Sequence, residues 1–268
     1  MKFFDLLFNS AKLWYLQDMK SYAAAFSYYA PLAILPLLLI SITIVGTIYG
    51  ESVTKQIITN WGLVLGQELI EIIRSAIGNL QSEADTFRIP LIGILFFAAA
   101  SILTLNVLST GFHKLWKVEK KGLNNWFLKS LRSVLFVLIL QVYLIIIIGF
   151  EIFMTTNNLN NDFLLSLLFI FVSTATFFAI LYRFLASNAP NWQACIIGAS
   201  IASVLFVISK STINVYITNL SGLNLYGAAG LILVLLIWIY VLASIIYYGA
   251  AVAHIYDRMY KRNQINNL

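Results

Sequence analysis

The sequence predicts an all-α integral membrane protein with six transmembrane helices, plus amphipathic interfacial helices at the N-terminus, in outer loop 1 and in cytoplasmic loop 2. Three observations carry this prediction. Of the 268 residues, 60% are hydrophobic and only 10% charged, whereas charged residues approach a quarter of a soluble domain. Six segments reach the ~20 apolar residues that cross ~30 Å of hydrocarbon at 1.5 Å per residue. None of the six carries the polar face that a helix of a soluble core needs.

The first 22 residues, MKFFDLLFNSAKLWYLQDMKSY, mix charges with apolar residues, and no short apolar run ends in a small-residue cleavage site, so a cleaved signal peptide is not expected. Phe3, Leu6, Leu7, Trp14 and Leu16 can line one side of an amphipathic helix, with Lys2, Lys12 and Lys20 at the headgroups. This segment reads as a membrane-surface anchor.

The first span, about 23–49, opens with AAAFSYYAPLAILPLLLIS. Pro31 and Pro36 each lack an N–H, which leaves the carbonyls of Ser27 and Leu32 without their usual helical donor. Such backbone is tolerated in hydrocarbon only where protein, a hydroxyl or water satisfies it. Pro31, near the edge, can start a helix or kink one. Pro36 lies about 20 Å in from Ala23 at helical rise and predicts a bend in a span that packs inside the bundle or faces a wet cavity.

Outer loop 1, 50–87, is net acidic and keeps apolar residues at helical spacing (Ile57, Trp61, Val64, Leu69, Ile72, Ala76 and Leu80), as an amphipathic helix or helix pair does. It packs on the outer face of the bundle, lies in the outer leaflet, or closes as a lid over an outward cavity. The second span covers about 88–112. Cytoplasmic loop 2 follows with HKLWKVEKKGLNNWFLKSLR, which interleaves lysines with tryptophans as an interfacial helix on anionic headgroups does. A docking surface for an anionic partner or RNA is the alternative. The remaining spans are about 132–154, 163–186, 192–217 and 226–255.

Orientation follows from the basic residues. Thirteen of the 17 Lys and Arg fall in the N-terminal segment, the second and fourth loops and the C-terminal tail; only Lys55, Arg74 and Arg88 fall on the other side. The positive-inside rule therefore places both termini in the cytoplasm. The formal charge of +6 reflects these membrane edges, and nucleic acid is not an expected partner. Membrane lipids are, including anionic headgroups on the cytoplasmic side. The oligomeric state is not fixed by the sequence.

Ionisable residues inside spans are costly and default to functional candidates. Glu151 and Lys210 lie roughly 27 to 29 Å along two spans that run outward, so they either pair or reach the outer headgroups separately. Arg183 falls at the cytoplasmic end of the fourth span and reads as an anchor. Asn214, with Thr104, Asn106, Ser109, Thr110 and Gln141, adds uncharged polar atoms of the kind that hydrogen-bond between helices. Small residues at four-residue spacing, Ala194, Gly198 and Ala202 in the fifth span and Gly249 and Ala253 in the sixth, predict close helix contacts.

Catalytic chemistry has little to stand on. Cys195 is the single cysteine, His113 and His254 have no metal-ligand spacing, and no carboxylate pair sits at helical spacing within a span. No G-x-x-x-x-G-K-[ST] phosphate loop or G-x-S-x-G elbow occurs. No enzyme activity, metal or cofactor is expected.

Three stretches in order, AAAFSYYAPLAILPLLL, LYRFLASNAPNWQACIIGA and LYGAAGLILVLLIWIYVLASIIYYGA, resemble the YihY/BrkB family of bacterial inner-membrane proteins over nearly the whole chain, which would make residues 1–268 a single domain of that kind. Ala24, Ala25, Tyr28, Tyr29 and Pro36 fall on the first signature. Arg183, Pro190 and Gly198 fall on the second, and Tyr226, Gly227, Gly230, Trp238, Tyr240, Gly249 and Ala250 on the third. Family members typically follow that last Gly-Ala pair with glutamate; this chain has Ala251, which removes any proton-linked role of that carboxylate. The resemblance implies a location in the bacterial cytoplasmic membrane and links to virulence, serum resistance and envelope lipid handling. The family's former ribonuclease label is at odds with the missing metal ligands. The expected function is a transporter or translocator of a lipid or amphiphile, not driven by ATP, with Tyr28, Tyr29, Pro31, Pro36, Glu151, Arg183, Lys210 and Asn214 as path candidates. The competing reading is an envelope scaffold or regulator acting through its basic cytoplasmic surface.

Overall fold

The computed structural model describes residues 3–49, 88–116, 139–150, 153, 163–185, 190–219 and 227–266. Among the described residues there are seven helices and no strand: α1 Phe3–Leu16, α2 Met19–Tyr49, α3 Arg88–Trp116, α4 Ile139–Phe150, α5 Phe163–Leu185, α6 Trp192–Asn219 and α7 Gly227–Asn266. Three stretches, Leu167–Leu185, Trp192–Lys210 and Ile232–Met259, are long and apolar enough to cross a membrane. Outer loop 1, Glu151 and most of cytoplasmic loop 2 lie outside the described residues.

The N-terminal segment is two elements where the sequence suggested one. Helix α1 closes with Gln17 N–H donating to the Leu13 carbonyl and Asp18 N–H to the Tyr15 carbonyl, both at 3.0 Å. Asp18 then takes a left-handed φ of 55°, a conformation aspartate tolerates better than most residues with a Cβ. Its carbonyl accepts Ser21 N–H at 3.2 Å, inside the first turn of α2. Helix α2 thus starts four residues before the expected boundary and is continuous through Pro31 and Pro36. Pro31 therefore does not start a helix.

Helix α2 buries Ala23, Phe26, Ala30 and Ala33, a stripe at the helical period. Helix α3 ends with His113 and Lys114 and α5 with Arg183 in their last turns, where positive charge suits the helix dipole. Asn191 caps α6: its carbonyl accepts the first helical N–H, from Cys195, at 3.1 Å.

Helix α7 is the hub, packing against α1, α2, α3, α5 and α6. Its 40 residues extend about 60 Å, so it outruns the span expected from sequence by eleven residues. Around it sits a core of Phe112, Leu108 and Leu115 from α3, Tyr182 from α5 and Tyr247 from α7 itself, all essentially inaccessible. Helix α4 joins through α5, with Tyr143 stacked on Phe177 at 4.4 Å between ring centroids.

The α6–α7 crossing is where the small residues matter. A Cβ on Gly198 would lie 2.5 Å from the Gly249 carbonyl oxygen and 2.8 Å from the Ala253 Cβ. One on Gly249 would strike the Tyr182 hydroxyl and lie 2.7 Å from the Ala202 Cβ. Ala194, Gly198, Ala202, Gly249 and Ala253 are all buried, and Gly198 and Ala202 of α6 face Gly249 and Ala253 of α7 at this crossing. Gly227 is the first residue of α7, and its surroundings lie outside the described residues.

Candidate functional site

Among the described residues, polar chemistry concentrates at one end of the bundle, the end that carries the α1–α2 elbow. Here α5 hands over to α6, and the Arg183 guanidinium donates to the Pro190 carbonyl while lying 5.3 Å from the centre of the Trp192 ring. Planar guanidinium suits both jobs at once. Arg183 therefore ties the start of α6 to the end of α5.

Asp257, on the last third of α7, is 6% exposed and its carboxylate accepts the Asn191 backbone N–H at 3.0 Å. The negative charge thus meets the positive end of the α6 dipole. One turn earlier on α7, His254 is buried beside Trp116 of α3, edge to face with ring centroids 5.5 Å apart. Among the described residues no group of three or more His, Cys, Asp or Glu could hold a metal ion.

Tyrosine hydroxyls stitch the remaining helices to α7. Tyr182 donates to the Ile246 carbonyl at 3.1 Å, Tyr247 to Val107 on α3 at 3.3 Å, and Tyr248 to Leu7 on α1 at 3.2 Å. The Tyr247 ring fits because α3 offers Gly111, where a Cβ would come within 2.5 Å of it. Thr104 on α3 shares its proton between its own helix, Ala100 O at 2.8 Å, and Tyr29 O on α2 at 3.1 Å.

Helix α2 presents a second, outward face. Opposite the buried stripe lie Ser21, Ala24, Tyr28 and Leu32, all exposed, with Pro31 half-buried. Tyr28 is 65% exposed and meets the Tyr29 ring edge to face at 5.2 Å. A cation flanks each side of this face: Lys20 lies 5.5 Å from the Tyr15 ring of α1, and Lys114 of α3 lies 5.1 Å from the Tyr22 ring. Lys20 and Tyr22 point about 200° apart around α2, so the two contacts bracket the face.

Among the described residues, the path candidates do not converge. Tyr28, Tyr29 and Pro31 share the outer side of α2, while Arg183 serves the α5–α6 junction. Lys210 is exposed roughly 27 Å along α6 from Trp192, at the far end of the bundle. Asn214 lies beyond it on α6 and Pro36 within α2, both with side chains outside the described ones. Glu151 falls outside the described residues, which leaves its pairing with Lys210 undescribed.

Sequence reasoning missed Asp257, His254, Gly111 and the carbonyl-seeking tyrosines. A signal was present for two of them: Tyr247, Ala250, His254 and Asp257 keep one helical spacing, the first three inside the expected last span and Asp257 two residues past its end at 255.

A sequence model of the family described as "Virulence factor BrkB" matches residues 14–267. Among curated relatives, a UPF0761 membrane protein of Vibrio cholerae serotype O1 is 25% identical over 215 residues, 76% of this chain and 68% of the relative. One from Psychromonas ingrahamii is 26% identical over 193 residues, covering 69% and 64% respectively. One from Alcanivorax borkumensis is 24% identical over 264 residues, covering 91% of this chain and 60% of the relative. No solved structure matches the chain. The family match spans the α2 face, the α5–α6 junction and the α7 hub together, and the chain is therefore a membrane protein of the BrkB family.

Proposed function

We propose that this protein moves a lipid or amphiphilic envelope molecule between the leaflets of the bacterial cytoplasmic membrane, without ATP and without catalysing a reaction. In this reading the chain crosses the membrane six times with both termini in the cytoplasm. The elbow end of the bundle is then the cytoplasmic end, and α1 lies in the inner interface.

The observation that carries the reading is the outward face of α2. Tyr28 lies nine residues beyond Met19, about 13 Å further along the helix, and its exposed hydroxyl faces away from the bundle. Tyrosines that face lipid concentrate at the interfaces, and this one sits deeper. One turn on, Pro31 frees the Ser27 carbonyl from its helical donor. An exposed tyrosine hydroxyl beside a proline-interrupted turn, with Ser21 and Ala24 small and exposed on the same face, gives a polar headgroup a partner partway across the hydrocarbon, where it would otherwise have none.

The test is exchange of a fluorescently labelled phospholipid in proteoliposomes, read by quenching with a membrane-impermeant reductant. Faster exchange with protein than without supports the proposal. No acceleration with either anionic or zwitterionic lipid would sink it and leave a scaffold acting through its basic surface.

A further inference from the structure

We propose that the α1–α2 elbow, with the adjoining end of α3, binds the phosphate group of an anionic phospholipid in the leaflet against which α1 lies. The site does not depend on transport, since a scaffold anchored in the same membrane would use it equally.

The first ground is the way α1 divides its faces. It docks on the bundle through Leu6 and Ser10, with Leu13 and Trp14 packed against the core. The Ser10 hydroxyl is turned inward and donates to the Leu6 carbonyl at 2.7 Å. On the opposite side stand Phe4, Phe8 and Tyr15, at 75%, 65% and 66% exposed. Positions 4, 8 and 15 fall within about 40° of one another around the helix. Against water this arrangement is inverted, because large rings face out and a hydroxyl faces in. Against acyl chains both sides of α1 are covered by apolar material. The face assignment also differs from the sequence expectation, which set Leu6 and Trp14 on the membrane side.

The second ground is the charge at the edge of that aromatic stripe. Lys12 and Lys20 border it, and the Lys20 ammonium sits over Tyr15, a member of the stripe. Across the outer face of α2, Lys114 sits over Tyr22. These three cations outnumber the carboxylates nearby, Asp5 and Asp18. Between the flanking lysines the α2 surface is Ser21 and Ala24, both small and exposed, which leaves room for a headgroup. Cations resting on rings beside an apolar stripe match a ligand that is anionic at one end and aliphatic at the other.

Two measurements on the full chain test this. In a Cys195→Ala background, a nitroxide attached at Phe8→Cys is compared for collision with oxygen and with a water-soluble nickel chelate, in vesicles of phosphatidylcholine containing phosphatidylglycerol. Oxygen access should dominate. Dominant access by the nickel chelate, or shielding from both by a protein partner, overturns the proposal. The second measurement is the ratio of phosphatidylglycerol to phosphatidylcholine retained on the purified protein, by native mass spectrometry. The exposed pair Lys20→Gln with Lys114→Gln should lower that ratio, by about fivefold for each lysine at a ~1 kcal/mol contribution. An unchanged ratio overturns the site, as does displacement of the lipid by inorganic phosphate alone. A protein that retains phosphatidylglycerol through these lysines yet leaves lipid exchange unaccelerated upholds this site and rejects translocation.

Discussion

The Asp257 carboxylate and the Asn191 backbone N–H, 66 residues apart in sequence, meet at 3.0 Å where α6 begins. The contact locks the last third of the hub helix to the start of its neighbour, and it is charge-assisted at a helix N-terminus, where anions are stabilised. Asp257→Ala should lower stability by about 1.5–3 kcal/mol, the range for hydrogen bonds to charged groups. Asp257→Asn keeps an acceptor and should lose less. Thermal unfolding of the detergent-solubilised variants, followed by tryptophan fluorescence, checks the order; equal losses would show that the charge, which both variants remove, carries the contact and the neutral acceptor contributes nothing.

Gly249 should not accept even a methyl group. An added Cβ meets the Tyr182 hydroxyl and the Ala202 Cβ, and overpacking of this kind costs about 1–3 kcal/mol, more than the ~1 kcal/mol that alanine gains in helix propensity. Gly249→Ala is therefore destabilising. Adding Tyr182→Phe removes the oxygen in the way, so the double variant should be more stable than the sum of the two single losses. Strict additivity in melting experiments would place the strain elsewhere.

How much of this was legible depended on whether a residue's partner left a mark in its own neighbourhood. The α6–α7 seam was readable because close packing repeats small residues every four positions on both helices. Residues 227–255 of α7 were readable as an apolar span, but the eleven that follow were not, since Asp257 looks like part of a solvated tail until the start of α6 is seen to meet it. The α1–α2 elbow was hidden for a different reason: an aspartate at positive φ carries no glycine to announce the turn, and apolar residues continue on both sides. The tyrosine hydroxyls could not be placed, because a carbonyl acceptor is the same in every residue.

Asp18 gives a prediction of its own. At φ 55°, a β-branched side chain is strained and glycine is not. Asp18→Val should destabilise the protein by about 1–2 kcal/mol, while Asp18→Gly should be close to neutral. Limited proteolysis at the elbow, comparing cleavage rates of the three proteins, reads this out; identical rates would show that the turn is not held in the left-handed region.

Thr104 of α3 and Tyr28 of α2 separate structure from function within one helix pair. Thr104→Val removes the proton that reaches Tyr29 O from α3 and should cost about 0.6 kcal/mol, the average for hydrogen bonds between membrane helices. Tyr28→Phe touches an exposed group and should leave stability within about 0.5 kcal/mol, yet slow lipid exchange severalfold. If Tyr28→Phe exchanges lipid at the wild-type rate, the hydroxyl has no part in the path.

The position of the hub in the chain has a bearing on biosynthesis. Helix α7 is the last described helix to leave the ribosome, while α1, α2, α3, α5 and α6 all pack against it. The α2–α3 and α5–α6 pairs can associate as they are inserted, but among the described residues most of the packing that joins the two groups runs through the final helix. The open, half-assembled bundle should therefore be a normal stage of insertion, and the one at which membrane proteases and insertion chaperones have access.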